Sequence, residues 1–475
     1  MGRQAVTYKL RFGTAIVAIF IAASAQAETL TDALIGAYKN SGLLDQQQAV
    51  LRAADENVAE ALAGLRPVVN YTMSAGYGGS SVFTATTTDT WSLSASLGIS
   101  ADITVFDNGQ TKYAVNSAKE NVLATREALV SVEQQILLRA VSAYMSVRSE
   151  VQTVGLRQNN VRVITEQLRA ARDRFEVGEI TRTDVAQAEA RLAAARSNLA
   201  AAQGQLARAR EEYRNAVGRM PGNLAQPPAL AGVPQTEQAA TQFAERNHPE
   251  IRRAQRLVSA SDLDVLRAKA ALGPTVGVSA GVQLGRERDG AYGLPTNNDT
   301  DTRSQNLSIT LNQPIYQGGR LSSLIRQAMA RRDQQRAGLH IVVHDIRQNV
   351  GNSYADLRVA RASLAASREQ VRAARVAFEG VREEATLGAR TTLDVLDAEQ
   401  ELLNAQNDLI DASTQEYVAY YSVLSSMGLL TADYLNLGIQ TYDPQAYYNL
   451  VKDGPVNRSS QGQRLDRVLR ALGKE

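Results

Sequence analysis

Two carboxylates, Asp394 and Asp397, stand three residues apart just beyond a glycine at Gly388. That spacing places both on one face of a helix. If the face lines a pore, symmetry-related copies stack into rings of negative charge that hold cations. If it meets solvent, both are helix-start acids favoured by the helix dipole. Arg390 sits between the glycine and the pair. The stretch LGARTTLDVLDAEQ, 387–400, also has a counterpart 210 positions upstream in VGEITRTDV, 177–185, where Gly178, Thr181, Asp184 and Val185 match Gly388, Thr391, Asp394 and Val395. Arg390 is matched by Ile180, so the two copies of the turn are not chemically identical.

Other chemistry is harder to build from these residues. His340 and His344 are four apart on a helical stretch, a spacing that can bind metal, but Ile341 stands where a metalloprotease would need glutamate. No third ligand is evident, so a solvated or packing role is expected for both. Cysteine is absent, which removes disulfides and thiolate metal sites. No phosphate loop, nucleophile elbow or Ser/His/Asp constellation can be identified. The expectation is a protein that is not an enzyme and uses no cofactor or metal.

The elements that position the turns follow from composition and period. Only 5% of the 475 residues are aromatic and Trp91 is the one tryptophan, which argues against a thick globular core. Arg3, Lys9 and Arg11 precede an apolar run, 12–23, and Ala25-Gln26-Ala27 supplies small residues for cleavage. Residues 1–27 therefore read as a signal peptide, since the run is shorter than the roughly 20 residues of a membrane-spanning helix. Its removal takes three basic residues from 51, leaving 48 against 49 acidic ones. A near-neutral exported chain offers no reason to invoke nucleic acid.

The chain repeats. Leu44, Leu51, Val58 and Leu65 recur every seven residues, and Ile251, Val258, Val265 and Leu272 repeat the row 207 positions later, with Pro67 and Pro274 ending each. The row from Ala140 to Phe175 is answered by Val350 to Ala385, and the row from Val185 to Tyr213 by Val395 to Val423, interrupted only by Glu416. Period seven means coiled-coil packing. An uninterrupted helix is expected from Thr111 to Val177, on the order of 100 Å long.

Between the rows the period falls to two. Trp91, Leu93, Ala95, Leu97 and Ile99 alternate with small polar residues, as do Val276, Val278, Ala280, Val282 and Leu284. Weaker partners lie at 69–77 and 305–311, with polar loops expected at 78–89 and 286–303. Four strands of about 9 to 11 residues match the length of tilted membrane-spanning strands. Four cannot close alone; two chains would give an eight-stranded barrel filled by side chains, whereas three would supply twelve strands and room for a lumen. The organisation expected is a first helix, strand, strand, helix unit at 28–219, a Pro-rich linker at 220–245, a second unit at 246–428 and a tail at 429–475.

The doubled unit, FDNGQ at 106–110, YQGGR at 316–320 and LGARTTLDVLDA together resemble the TolC family of outer-membrane channel proteins. FDNGQ lacks the second glycine and the arginine of its counterpart. The resemblance implies a mainly α fold with β, in which a homotrimer forms a 12-stranded transmembrane β-barrel and an α-helical barrel of long hairpins. It implies an exit duct across the Gram-negative outer membrane and periplasm, docked to a periplasmic adaptor and an inner-membrane ABC or proton-driven transporter. Residues 220–245 and the tail would form a belt around the helices, and YDPQAYYNLV, 442–451, resembles the type I secretion branch; multidrug efflux and a periplasmic scaffold are the alternatives. By the same resemblance, Asp394 and Asp397 ring the pore entrance and Arg390 bonds to Thr183 and Asp184 of a neighbouring protomer as a gate. The turns at Gly178, Thr181, Gly388 and Thr391 would then be the tips that meet the adaptor.

Overall fold

The computed structural model describes residues 27–83, 87–230, 233, 236–292, 297–456 and 459–471. The expected signal peptide therefore lies outside the described residues, apart from Ala27. Helices α1 (Leu30–Asn40) and α2 (Gly42–Ala63) lead into strands β1 (Val68–Phe83) and β2 (Thr87–Phe106), the long helix α3 (Gln110–Glu176) and the return helix α4 (Arg182–Val217). After α5 (Glu237–Asn247) the order recurs: α6 (Pro249–Ala270), β3 (Thr275–Ala291), β4 (Asn297–Asn312), α7 (Arg320–Thr386) and α8 (Thr392–Ser426). Two short helices, α9 (Pro444–Val451) and α10 (Ser460–Ala471), complete the described chain.

The heptad rows become buried seams. Leu44, Leu51 and Val58 on α2 and Ala140, Val147 and Val154 on α3 are buried, as are Val350, Leu357, Leu364 and Val371 on α7. Three of the rows open at their last member, Leu65, Leu272 and Phe175, which are exposed, whereas Tyr213 and Val423 end theirs fully buried. Helices α3 and α7 both run 67 residues, on the order of 100 Å each. Each starts on a glycine in the left-handed region, Gly109 at φ 86° and Gly319 at φ 81°. Glu416, which interrupts its apolar row, reaches Arg361 on α7 at 3.7 Å.

The four strands form one antiparallel sheet in the order β1-β2-β3-β4, so the two repeats meet where β2 pairs with β3. The outer edges of β1 and β4 carry no partner strand among the described residues. Sidedness follows from register. One face holds Val69, Tyr71, Met73, Leu93, Leu97, Ile99, Val282, Leu284, Leu307, Ile309 and Leu311, all exposed in the single chain. The other is small and polar, with Ser74 bonded to Ser96 and Ser279 to Ser308, each at 2.7 Å.

The strands correct two expectations. They run 16 to 20 residues rather than about 9 to 11, and most of the segments expected as loops at 78–89 and 286–303 are strand. Trp91 accordingly lies inside β2 rather than at its start. Hydrophobic alternation ends where the apolar band ends, but the backbone ladder continues, braced by polar cross-strand pairs such as Arg288 and Asp299 at 3.2 Å.

An equatorial core sits where the helices are most numerous. Tyr144 and Tyr213 are fully buried there with Leu30, Leu137 and Leu430. Glu28 ties it together: its carboxylate accepts from the Tyr213 hydroxyl at 2.5 Å and from Arg219 at 2.7 Å, and its amide donates to Asn223. Burial, opposed by Arg148, pushes the Tyr144 phenol up to about 12. The tail docks on the same level, with Tyr447 donating to Glu56 at 2.7 Å and the Tyr442 amide to the Tyr38 hydroxyl at 3.3 Å. Helix α5 runs across the boundary drawn at 245/246 and packs on α7, where Arg347 pairs with Glu245.

Candidate functional site at the helical tips

Each long helix ends in the same turn, made in the same way. Gly178 and Gly388 both hold φ 79°, and a Cβ at either would meet nothing within 4 Å, so the requirement is backbone conformation alone. The amide of Glu179 donates to the Arg174 carbonyl at 2.9 Å, and that of Ala389 to Glu384 at 2.9 Å, closing each C-terminus.

The return helices then start on matching capping boxes. The Thr181 amide and hydroxyl both reach Asp184 Oδ2, at 2.9 and 2.8 Å, while the Asp184 amide donates back to Thr181 Oγ1. Thr391 and Asp394 repeat this geometry at 2.9, 2.8 and 3.2 Å. The Thr181 side chain holds the Asp184 carboxyl below its ordinary range, and the Thr391 amide does the same for Asp394, so both remain charged. Asp394 thus serves its own helix whatever else it faces.

Asp397 has a different partner. Its Oδ1 accepts from Arg191 Nη2 on α4 at 2.6 Å, across from the other repeat. Arg390 is exposed and donates to Glu384 Oε2 at 2.8 Å within its own turn, and Thr183 is exposed. Within one chain the structure therefore brings neither Thr183 nor Asp184 to Arg390. His340 and His344 lie on α7, and among the described residues no group of three or more His, Cys, Asp or Glu could hold a metal.

A polar clamp above the tips was not anticipated. Glu399 on α8 is buried and accepts from Asn160 Nδ2 at 3.1 Å and Gln167 Nε2 at 2.9 Å, both on α3. Burial pushes its carboxyl up, opposed by the two amide donors. Its repeat equivalent, Glu189, is exposed and pairs with Arg172 at 2.5 Å. The two positions read alike in sequence; only the packing of α8 against α3 separates them. At the level of the clamp, Ile164, Leu168, Ala188, Leu192 and Ala195 form a small apolar cluster between α3 and α4.

The family model described as Outer membrane efflux protein matches residues 36–219 and 240–429, which are the two repeats. The chain belongs to that family. Outer membrane efflux protein BepC of Brucella suis is 37% identical over 432 residues, covering 90% of this chain and 92% of the relative. Outer membrane protein TolC of Escherichia coli is 26% identical, covering 85% and 83%. Among solved structures, the Campylobacter jejuni CmeC outer membrane channel superposes with a TM-score of 0.72 at 14% identity, covering 89% of both chains. This efflux-family chain is thus an outer-membrane channel protein of TolC type, with its sheet in the membrane and its helices in the periplasm.

Proposed function

We propose that three copies of this chain close into one duct, the exit channel of a tripartite exporter fed by an inner-membrane transporter through a periplasmic adaptor. One observation carries the reading: a four-stranded sheet with an apolar outer face, a small polar inner face and two unpaired edges, joined to helices of periplasm-spanning length. Open strand edges are intolerable in hydrocarbon, and joining β4 of one copy to β1 of the next removes all of them. No chemistry is required of such a duct.

In this reading Asp394 and Asp397 of three copies stand around the entrance, and the turns at Gly178, Thr181, Gly388 and Thr391 present six tips to the adaptor. Arg390 releases Glu384 to hold Thr183 and Asp184 of a neighbour in the closed state, since its planar donors suit a carboxylate and a hydroxyl together. The cargo is small molecules, supported by the efflux protein BepC at 37% identity. Type I protein secretion is the second reading, favoured by alkaline protease secretion protein AprF of Pseudomonas aeruginosa at 25% identity over 315 residues and by the YDPQAYYNLV ending.

The test is deletion and re-expression in the native host. Deletion should raise intracellular dye and antibiotic accumulation, with the wild-type chain restoring efflux from a trimer seen by light scattering in mild detergent. Loss of secreted proteins with normal accumulation would select type I secretion. A monomer under those conditions overturns the duct. In planar bilayers Arg390→Ala should raise conductance, and an unchanged value removes Arg390 from the gate.

A further inference from the structure

The lipid-facing side of the sheet changes character row by row toward its outer end. Register places Met73, Leu97, Leu284 and Arg303 in one row, Ala75, Ala95, Arg286 and Asp301 in the next, and Tyr77, Leu93, Arg288 and Asp299 above them. The upper two rows are internally neutralised. Arg288 pairs with Asp299 at 3.2 Å, and Arg286 lies 3.4 Å from Asp299 and 3.7 Å from Asp301. That accounts for both carboxylates. Arg303, one row deeper and level with Met73, Leu97 and Leu284, has no ion-pair partner among the described residues.

The same place carries a depression. Alanines at 75 and 95 fall between the taller rows, leaving a groove of about 480 Å³ lined on this face by Met73, Ala95, Leu97, Leu284, Arg286, Arg303 and the carboxylate of Asp301, which Arg286 offsets. Its roof is aromatic: the hydroxyls of Tyr77 and Tyr292 bond at 2.6 Å, and Trp91 lies one row further out, opposite Gly79 and Gly290. Tyr and Trp in such a girdle mark the boundary between hydrocarbon and headgroups. The groove therefore lies against that boundary, with the unpaired Arg303 at the edge of its apolar floor and the neutralised pair of Arg286 and Asp301 above it.

We infer that this groove is a binding site for a phosphate-bearing membrane lipid of the outer leaflet, its acyl chain on Met73, Leu97 and Leu284 and its phosphate on Arg303 and Arg286. Charge complementarity selects the occupant. A cation in excess at the edge of the hydrocarbon attracts an anionic headgroup, and an arginine fork suits phosphate oxygens. Facing lipid, the groove is reached from within the membrane rather than by soluble anions or peptides. The inference rests on the reading of the sheet as a membrane barrel.

The experiment counts lipids on the intact oligomer by native mass spectrometry, after exchange in mild detergent with bisphosphorylated lipid A or the same lipid stripped of phosphate. Wild type should retain only the phosphorylated form, and Arg303→Gln should lower its occupancy about fivefold, the factor that one arginine contributes near an anionic surface. Arg303→Lys should restore part of it. Equal occupancy in Arg303→Gln and wild type, retention regardless of phosphate, or displacement by excess inorganic phosphate would each overturn the site. Samples are first shown to float with liposomes, so failure of the chain to insert would count against the barrel and not against the groove.

Discussion

Asp397 is the residue whose role the structure changes most. A carboxylate held at 2.6 Å by Arg191 contributes little net charge to an entrance although it is exposed, which leaves Asp394 as the member of the pair without an ion-pair partner among the described residues. The ion pair of Arg191 with Asp397 is solvent-exposed, so its removal should shift stability by no more than about 0.5 kcal/mol. Its electrical effect should be larger. Arg191→Ala is expected to increase cation selectivity and block by polyvalent cations in planar-bilayer recordings, and adding Asp397→Ala should reverse the gain. Selectivity unchanged in Arg191→Ala would place Asp397 away from the ion path. Asp394 was legible as a helix-start acid because the signals of a helix start are local, within a few residues of the glycine turn. Arg191 was not, because its link to Asp397 spans 206 positions and depends on how one hairpin lies against the other.

Among the elements, helices were read closely and strands were read short. The limits expected for the first long helix, Thr111 and Val177, fall within a residue of Gln110–Glu176, because a seven-residue row stops only where glycine stops it. Strand ends gave no such mark. Residues 286–290 and 297–303 lose apolar alternation while staying paired in the ladder, and charged strands look like loops to a hydrophobic period. The two faces make opposite predictions for substitution. Ile309→Lys puts a charge on the membrane side and should cost roughly 2 kcal/mol of insertion, depending on depth. Asn306→Ser on the polar side should be nearly neutral. The amount of heat-resistant oligomer recovered from outer membranes checks both, and equal yields would mean that the apolar face does not meet lipid.

For the molecule as a whole, stability is concentrated at the equator, and one group there is costly. Asp55 on α2 is buried with neither carboxylate oxygen hydrogen-bonded among the described residues, faced by Arg126 from α3, Glu56 from its own helix and Tyr442 from the tail. Burial pushes its carboxyl up to about 6, with Arg126 opposing. A raised carboxyl means that the folded chain binds the proton more tightly than the unfolded one. Its stabilising contribution is therefore present below about pH 4 and is lost as pH rises through about 6. Asp55→Asn, a mimic of the protonated form, should exceed wild type by about 1 kcal/mol at neutral pH, the gap closing by about pH 4. Paired thermal unfolding across that range measures it; a gap that does not change with pH would show that Asp55 does not titrate there.

The great length of α3 and α7 makes each a lever whose fulcrum is the equatorial core. From Val147 to Glu176 the helix extends roughly 45 Å beyond that core. A tilt of about 5° there sweeps the tip through about 4 Å, a displacement comparable to the full reach of an ion pair. Small play at the fulcrum would thus break every contact at the tip, whereas breaking those contacts moves the fulcrum hardly at all. The mechanical advantage runs one way. It demands rigidity from the fully buried tyrosines at the equator, Tyr144 and Tyr213, and allows exposed pairs such as Arg191 with Asp397 to suffice at the far end.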